Sequence, residues 1–341
     1  MFSVLLIPLL VAMFLGINMG GSGTAPSFSV AYGADLINID LIPVLFGVCV
    51  LIGAIVASEE VTKTIGKGII SENVMSITVV TIILLSTSLS IMFANILKVP
   101  QSASQATVFA ITGVGIYFDQ LKTQRLFFEI IPTWFILPII AFMIMYIIGK
   151  YIFEPLKCKK TINFIQISEK SLWKYIVILS SCYVAFSIGA NNVANATGPI
   201  TSMLLNELGF QSNTTYSLLC MILATIIVAP CFGIGSSIFG SSVLETTGKK
   251  IISVAPLGAV VISIVTGSLF LVASVTKGIP ASLVQLNTGA IIGLATAKLG
   301  FKEVIKNSSV RKIFVVWIIA PIISFLLAIL FLYLGSKLNM F

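Results

Sequence analysis

Two polar, glycine-rich stretches interrupt an otherwise apolar chain and hold the side chains best suited to bind an anion. They are Gly16–Ala34 and Gly189–Leu205, and neither contains a carboxylate. Glycines let backbone N–H groups approach a ligand closely, while serine, threonine and asparagine add neutral hydrogen-bond donors. Small residues such as Gly20, Gly21 and Gly198 fit close helix packing equally well. The candidate anion-binding residues in these stretches are Asn18, Gly21, Ser22, Gly23, Thr24, Asn191, Asn192, Asn195 and Thr197.

A second set of donors follows two prolines, Pro100 and Pro280. Proline suits the start of a helix, so the serines just after it are expected in a first helical turn. Helix N-termini add the positive end of the helix dipole, which favours anions. Polar groups deep in an apolar chain are costly unless they have partners, and these groups recur at matching places. We therefore add Ser102, Ser104 and Ser282 to the candidate anion-binding residues.

The elements that must position these donors are membrane-spanning helices. Of the 341 residues, 57% are hydrophobic and 9% are charged, and the mean hydropathy is +1.10, which is too apolar for a soluble domain. A helix crosses a bilayer with roughly 20 apolar residues, and about ten segments suit such crossings. The sequence therefore predicts an all-α polytopic protein of the cell membrane, surrounded by lipid. The segments are Phe2–Leu15, Leu41–Ala57, Val74–Ile96, Ser102–Tyr117, Phe127–Ile148, Tyr175–Ile188, Tyr216–Gly233, Val254–Val275, Ser282–Ala297 and Val315–Leu334.

Charge and missing residue types exclude several classes of function. The net charge of +8 comes from lysines and arginines in loops, where they set membrane topology, so no nucleic-acid partner is expected. The chain has no histidine, and its 5 cysteines show no paired spacing, so we expect no metal site, no disulfide framework and no cofactor. No nucleophile, base or metal cluster can be recognised, so we do not expect an enzyme.

The chain contains an internal duplication. Residues Val61–Ser71 recur as Val243–Ser253 with seven of eleven positions identical, and the polar stretches and the proline–serine pairs recur in the same order around them. Three blocks in the same order are hard to obtain by chance. We predict two repeats, 1–148 and 172–341, joined by a basic linker at 149–171.

Loop charges predict that the two repeats are inverted in the membrane. The lysine-rich linker should be cytoplasmic, as should the loop 298–312, which carries five basic residues. The equivalent loop of the first repeat, 119–126, carries only two. Equivalent loops therefore fall on opposite sides. We expect the two polar stretches to form broken, re-entrant helices at the repeat interface, where inverted-repeat transporters bind their substrates.

Several of these motifs resemble one family. The stretch 189–195, Gly-Ala-Asn-Asn-Val-Ala-Asn, is similar to the Gly-x-Asn-Asp-x-Ala-Asn signature of the inorganic phosphate transporter (PiT) superfamily. The Pro-x-Ser stretches at 100–102 and 280–282 resemble its Pro-Val-Ser-Thr-Thr-His motif. Residues 18–33 and 60–64 resemble the CysP-type sulfate permease branch. The resemblance implies a secondary transporter for an inorganic oxyanion, with sodium as the ion associated with the family's acidic positions.

Departures from the family pattern bear on the substrate. The family aspartate is Asn192 in the second repeat and Met19 in the first, and the family histidine is Gln105 and Gln285. Phosphate near pH 7 carries a proton that a carboxylate can accept, whereas sulfate carries none. A carboxylate beside sulfate would cost several kcal/mol of repulsion at an effective dielectric of about 20. We therefore predict a sulfate permease, with a sodium-coupled phosphate transporter and an oxyanion channel as the alternatives.

The coupling ion is a proton or sodium. Glu60 ends an apolar span and its repeat equivalent is Ser242, so the acid is not required by the repeated unit. An ionisable group at a membrane boundary is a candidate proton carrier, and we predict proton symport through Glu60. The competing interpretation is a solvated glutamate paired with Lys63. The sequence leaves the oligomeric state open, a homodimer included.

Overall fold

The computed structural model describes residues 2–33, 36–97, 101–155, 171–210, 214–247, 256–306 and 308–339. The described residues form helices and short connections, and their one β-type feature is an isolated antiparallel bridge between Ile70 and Leu121. The all-α prediction is therefore confirmed. Most of the predicted linker, residues 156–170, and the repeated block beyond Thr247 lie outside the described residues.

The helices of the first predicted repeat are α1 (Phe2–Gly33), α2 (Ile42–Ala57), α3 (Glu59–Lys63), α4 (Ile77–Ile96), α5 (Ala103–Tyr117) and α6 (Ile131–Ile148). Wide helical turns extend α3 over Thr64–Gly68 and α6 over Leu126–Ile130 and Gly149–Phe153. The helices of the second are α7 (Ser171–Asn192), α8 (Ala194–Glu207), α9 (Thr214–Thr247), α10 (Pro256–Lys277), α11 (Leu283–Leu299), α12 (Phe301–Lys306) and α13 (Ser308–Lys337).

Eight stretches of the described chain are long and apolar enough to cross a membrane, so the protein is a multi-pass membrane protein. The two weaker segments of the sequence, at 102–117 and 282–297, correspond to α5 and α11, which have 15 and 17 residues. At 1.5 Å per residue these helices are roughly 22 and 26 Å long, short of the ~30 Å hydrocarbon core. Their buried residues show that they lie inside the protein.

The first polar stretch is not broken, contrary to prediction. It lies inside α1, which continues without interruption from Phe2 to Gly33. The polar side chains do not require a break because they bond to the helix itself. Ser22 Oγ donates to Met19 O at 3.1 Å and Thr24 Oγ1 donates to Gly20 O at 2.8 Å. Such bonds to carbonyls one turn back satisfy a hydroxyl within an intact helix.

The second polar stretch is interrupted only briefly. Helix α7 ends at Asn192 and α8 begins at Ala194, with Val193 between them in the right-handed helical region (φ −60°, ψ −34°). The apolar stretch Leu172–Glu207 passes through this point. The predicted break is therefore present in the second stretch, but only at Val193. Neither stretch forms a re-entrant turn within the described residues.

The two predicted repeats interlock instead of standing side by side. Helix α1 packs against α9, α2 against α7, α5 against α13 and α6 against α11, so each of these pairs joins one helix from either half. The inverted relation of the halves remains a prediction. Their interlocking brings the polar stretches and the proline–serine segments of both halves into one interior.

Glycines bring α1 and α9 into direct backbone contact. A Cβ atom on Gly20 would collide with the backbone of Phe232, and one on Gly235 would collide with the carbonyl of Ile17. The close packing proposed for small residues in this stretch therefore holds at Gly20.

We expect Gly235→Ala to destabilise the folded protein by about 1–3 kcal/mol, because the added methyl group forces α1 and α9 apart. The thermal unfolding midpoint of purified protein in detergent measures the effect. Gly33→Ala makes the same chemical change where no atom lies within 4 Å of the new Cβ. An unchanged midpoint for Gly235→Ala would contradict the contact.

Candidate functional site

A small polar cleft forms where the two proline–serine segments approach the two polar stretches. The polar cleft is lined by α1, by the start of α5, by the junction of α7 and α8 and by the start of α11. Its cavity volume is about 10 Å³, enough for roughly one water molecule. An oxyanion therefore needs the lining elements to separate before it can bind. The lining residues that matter for binding are Ser22, Gly23, Gln101, Ser102, Asn192 and Ser282.

Two helix N-termini meet at the polar cleft with the same capping geometry. Ser102 caps α5 and Ser282 caps α11, both with extended backbone, and each Oγ accepts the N–H three residues later at 3.3 Å. The serines therefore lie at the N-cap, one position before the first turn that the sequence predicts. Two positive dipole ends and their free N–H groups converge on one cavity, which is a favourable place for an anion.

The capping bonds leave the serine protons unused. Because Ser102 Oγ and Ser282 Oγ act as acceptors toward Gln105 N and Gln285 N, each hydroxyl hydrogen can still be donated into the polar cleft. Each of these serine residues is 5% exposed, so little water competes for the hydrogens. The arrangement supplies one hydroxyl donor from each half of the chain.

Asn191 ties α7 to the segment that leads into α11. Its Nδ2 donates to Ser274 Oγ at 2.8 Å and to Ile279 O at 2.9 Å, and its Oδ1 accepts a bond from Ser104 Oγ at 3.2 Å. Asn195 Nδ2 also donates to Ser104 Oγ, at 3.2 Å. Asn191, Asn195 and Ser104 thus join the two halves behind the polar cleft, and none of them lines it.

Trp134 adds a further anchor to the same segment. Its Nε1 donates to Pro280 O at 2.8 Å, and its side chain is buried on α6. Together with the bond from Asn191 to Ile279 O, this contact holds two consecutive carbonyls just before Ser282. The position of the α11 N-cap is therefore set by side chains of α6 and α7.

Four further predicted residues also lie outside the polar cleft. Asn18 is fully buried and donates to Phe14 O, Gly21 packs against Phe239, and Thr24 borders a groove between α2 and α9. Thr197 Oγ1 donates to Val193 O at 3.2 Å and lies 3.4 Å from Thr62 Oγ1. Their assignment to the anion site stays a prediction, and the polar cleft does not include them in this conformation.

Glu60 lies on α3 at the end of a span and does not line the polar cleft. Its Oε1 is 2.7 Å from Lys63 Nζ, and Glu59 Oε1 is 2.8 Å from the same nitrogen. The hydrogen bonds that Lys63 donates, to Glu59 first in size and then to Glu60, raise the pKa of Lys63. Both glutamates are about half exposed, so the contact is a solvated ion pair of the kind the competing interpretation describes. The proton-carrier role stays a prediction.

Sequence reasoning missed one residue of the polar cleft, Gln101. It is 3% exposed and its Nε2 donates to Ser90 Oγ at 2.9 Å. Its Oε1 is buried, and no donor reaches it from the described part of the chain. The sequence does distinguish Gln101 from its repeat equivalent, Ala281, which has no polar side chain. This difference between the halves is the signal that could have identified Gln101.

The described residues contain no cluster of histidine, cysteine, aspartate or glutamate that could hold a metal ion. Neutral oxygens are the alternative ligands for a hard cation. Several buried amide oxygens lack a donor among the described residues, and of these only that of Gln101 belongs to a residue that lines the polar cleft. The oxygens are Asn18 Oδ1, Gln101 Oε1, Gln105 Oε1, Asn195 Oδ1, Gln285 Oε1 and Asn287 Oδ1.

An interlocked helical membrane fold with a donor-lined interior cleft suits a permease. Comparison with known proteins supports this class. Residues 19–328 match the phosphate transporter family, so the chain belongs to that family. The resemblance found in the motifs is thereby confirmed.

Individual relatives carry the names of oxyanion transporters. The sulfate permease CysP of Bacillus subtilis is 34% identical over 330 residues, covering 95% of this chain and 87% of that protein. The chloroplastic inorganic phosphate transporter 2-1 of Arabidopsis thaliana is 28% identical over 173 residues. The match covers 50% of this chain and 28% of that protein. A solved structure described as the sodium-dependent phosphate transporter has the same fold, with a TM-score of 0.82 and 20% sequence identity. The match covers 98% of this chain and 99% of that structure's chain.

Proposed function

We propose that this permease takes up sulfate in symport with cations. The observation that carries the proposal is the polar cleft, in which hydroxyl and N–H donors from two helix N-termini converge and no lining residue is a carboxylate. Sulfate has no proton to offer a carboxylate, so a cleft of this composition suits it. The 34% identity to a sulfate permease over nearly the whole chain supports the same substrate.

Uptake of a dianion requires a driving ion. Moving sulfate into a negative interior is uphill by about 2.3 kcal/mol per charge per 100 mV, so about 4.6 kcal/mol at −100 mV. Two accompanying monovalent cations only neutralise this charge, and a third lets the membrane potential favour uptake. The proposed driving ion is a proton carried by Glu60, and a sodium ion held by neutral oxygens is the alternative.

Reconstitution in proteoliposomes tests the substrate. Labelled sulfate uptake should saturate, show counter-flow and exceed phosphate uptake when the two anions compete. Counter-flow separates a carrier from an oxyanion channel, which lacks alternating access. A parent protein that prefers phosphate would overturn the sulfate assignment and favour the sodium-coupled phosphate transporter.

Glu60→Gln tests the proton pathway. The variant should still bind sulfate and should lose the dependence of uptake on an imposed pH gradient, because glutamine cannot exchange a proton. Glu59→Gln is the matched control, since Glu59 contacts the same lysine with similar exposure. Uptake by the parent that follows sodium and ignores pH would refute the role of Glu60.

A further inference from the structure

The chain turns sharply where α10 ends and leads into the N-cap of α11. Gly278 has φ +59°, and its N–H donates to Ser274 O at 3.1 Å. A helix commonly ends on a residue in this left-handed conformation, which favours glycine. The direction of the segment that follows, residues 278–282, is therefore fixed by Gly278. We call this segment the α10–α11 connection.

Helix α3 lies directly against this turn. A Cβ atom on Gly278 would collide with the backbone carbonyl of Glu60 and would lie 3.0 Å from Thr64 Oγ1. The contact joins the two predicted repeats, because α3 belongs to the first and Gly278 to the second. The repeat equivalent of Gly278 is Lys98, so the repeated unit does not require a glycine at this position.

Arg125, just before α6, closes a ring of hydrogen bonds around the same contact. Its Nη2 donates to Thr64 Oγ1 at 2.8 Å and to Lys277 O at 3.4 Å. Thr64 Oγ1 donates its own hydrogen to Glu60 O at 3.0 Å. A guanidinium group presents several donors in a rigid plane, so one side chain can hold two acceptors in a set geometry. Arg125 thus fixes α3 relative to the end of α10.

The α10–α11 connection has little freedom between this ring and the polar cleft. All of its residues, from Gly278 to Ser282, are buried. Side chains of α6 and α7 hold the carbonyls of Pro280 and Ile279, as described above. Close-packed interiors transmit strain because they cannot absorb it locally. A displacement at the turn is therefore expected to reach the N-cap of α11.

We propose that Arg125 and Gly278 are positioning residues for the anion, acting through Ser282. This inference rests on the proposed sulfate function. Arg125 and Gly278 couple the position of α3 to the direction in which the α11 N-cap presents its hydroxyl and N–H donors. Because α3 also carries Glu60, the same link joins the proposed proton carrier to the donors that Ser282 supplies. Ser102 reaches the polar cleft from α5 and is expected to be independent of this link.

Gly278→Ala should raise the Kd for sulfate about tenfold, because the methyl group pushes the turn away from α3 and weakens one hydrogen bond to the anion. Titration calorimetry on the purified full-length protein measures this Kd. Gly209→Ala is the matched control, since Gly209 has φ +64° and no atom lies within 4 Å of the new Cβ. It imposes similar backbone strain and should leave the Kd within about twofold of the parent.

Double variants distinguish positioning from general damage. Added to Ser282→Gly, Gly278→Ala should raise the Kd by less than about threefold, because the hydroxyl that it misplaces is already absent. Added to Ser102→Gly, it should still raise the Kd about tenfold. Arg125→Gln should show the same pattern with a smaller effect, and Arg125→Lys should restore part of the affinity. Glu129→Gln is the control for Arg125, because it removes only an ion pair at 3.8 Å and should not change the Kd.

Three outcomes overturn the inference. The first is a Kd for Gly278→Ala within about twofold of the parent, and the second is an equal effect of Gly278→Ala in both serine backgrounds. If Gly278→Ala does not fold, Arg125→Gln in the same two backgrounds is the test, and an equal effect there is the third. A parent that binds phosphate and not sulfate would refute the proposed function instead. The same double variants titrated with phosphate would then test the link separately.

Discussion

Asn192→Asp is expected to lower sulfate uptake at neutral pH by about 100-fold or more. Asn192 lines the polar cleft, where we propose that sulfate binds, so the new carboxylate would lie beside the dianion. Two like charges about 5 Å apart repel by about 3 kcal/mol at an effective dielectric of 20, and sulfate carries two charges. Every 1.4 kcal/mol is a tenfold change in affinity, so even a partly screened repulsion produces this loss.

The same variant should recover sulfate uptake as the pH falls. At lower pH the introduced aspartate becomes protonated, and the neutral side chain can donate a hydrogen bond to sulfate instead of repelling it. Uptake by proteoliposomes measured between pH 8 and pH 5 tests this, since sulfate remains a dianion throughout. Phosphate uptake should suffer less, because hydrogen phosphate offers its proton to the carboxylate.

Asn38→Asp provides the matched control. Asn38 caps the short turn before α2 through its side-chain oxygen, which accepts from Asp40 N at 3.3 Å, and aspartate can cap in the same way. This residue is outside the polar cleft. The Asn38→Asp variant should keep the parent's rate of sulfate uptake and its dependence on pH. Normal sulfate uptake by Asn192→Asp at pH 7.5 would show that the anion does not bind beside Asn192.

The double substitution Ser102→Gly and Ser282→Gly is expected to weaken sulfate binding by about 100-fold or more. Each serine supplies one unused hydroxyl hydrogen at a helix N-terminus, and a hydrogen bond to a charged group contributes about 1.5–3 kcal/mol. Glycine is chosen because replacing an N-cap serine with it costs only a few tenths of a kcal/mol. The loss of affinity should therefore greatly exceed the loss of stability.

Calorimetric sulfate affinity and the thermal unfolding midpoint, measured on the same preparations, separate the two effects. Ser76→Gly is the control, because Ser76 caps α4 in the same manner, with Oγ accepting from Val79 N at 3.4 Å, and does not line the polar cleft. The Ser76→Gly variant should change only the thermal unfolding midpoint and not the affinity for sulfate. If the double variant binds sulfate within about threefold of the parent, the two hydroxyls do not contact the anion.

Local sequence signals predicted the two helix starts and the helical class because each depends on few neighbours, although the serines lie at the N-cap and not in the first turn. Proline followed by serine indicates a helix start wherever the segment lies, and both Ser102 and Ser282 cap helices. Apolar length likewise predicts spans without knowledge of packing. Ser102 and Ser282 recur at matching positions of the two halves, and both line the polar cleft together with Ser22 and Asn192.

Features that depend on the partners of a side chain could not be predicted. The polar stretch near Ser22 and Thr24 suggested a broken helix, yet these hydroxyls bond to carbonyls of their own helix, which only the backbone path reveals. The orientation of the Gln101 amide depends on Ser90, which itself donates to Ala320 O, 230 residues further along the chain. No periodicity or motif connects such distant positions.

The interlocking of α1 with α9 has a consequence for biosynthesis. Gly20 and Gly235, which form the two sides of this contact, are about 215 residues apart, and at 5–20 residues per second the ribosome needs roughly 10–40 s to make the second after the first. Throughout that interval the glycine face of α1 meets lipid or a chaperone instead of its partner. A ribosome pause before α9 would prolong this exposure, so translation speed through the linker should influence how much of the chain matures.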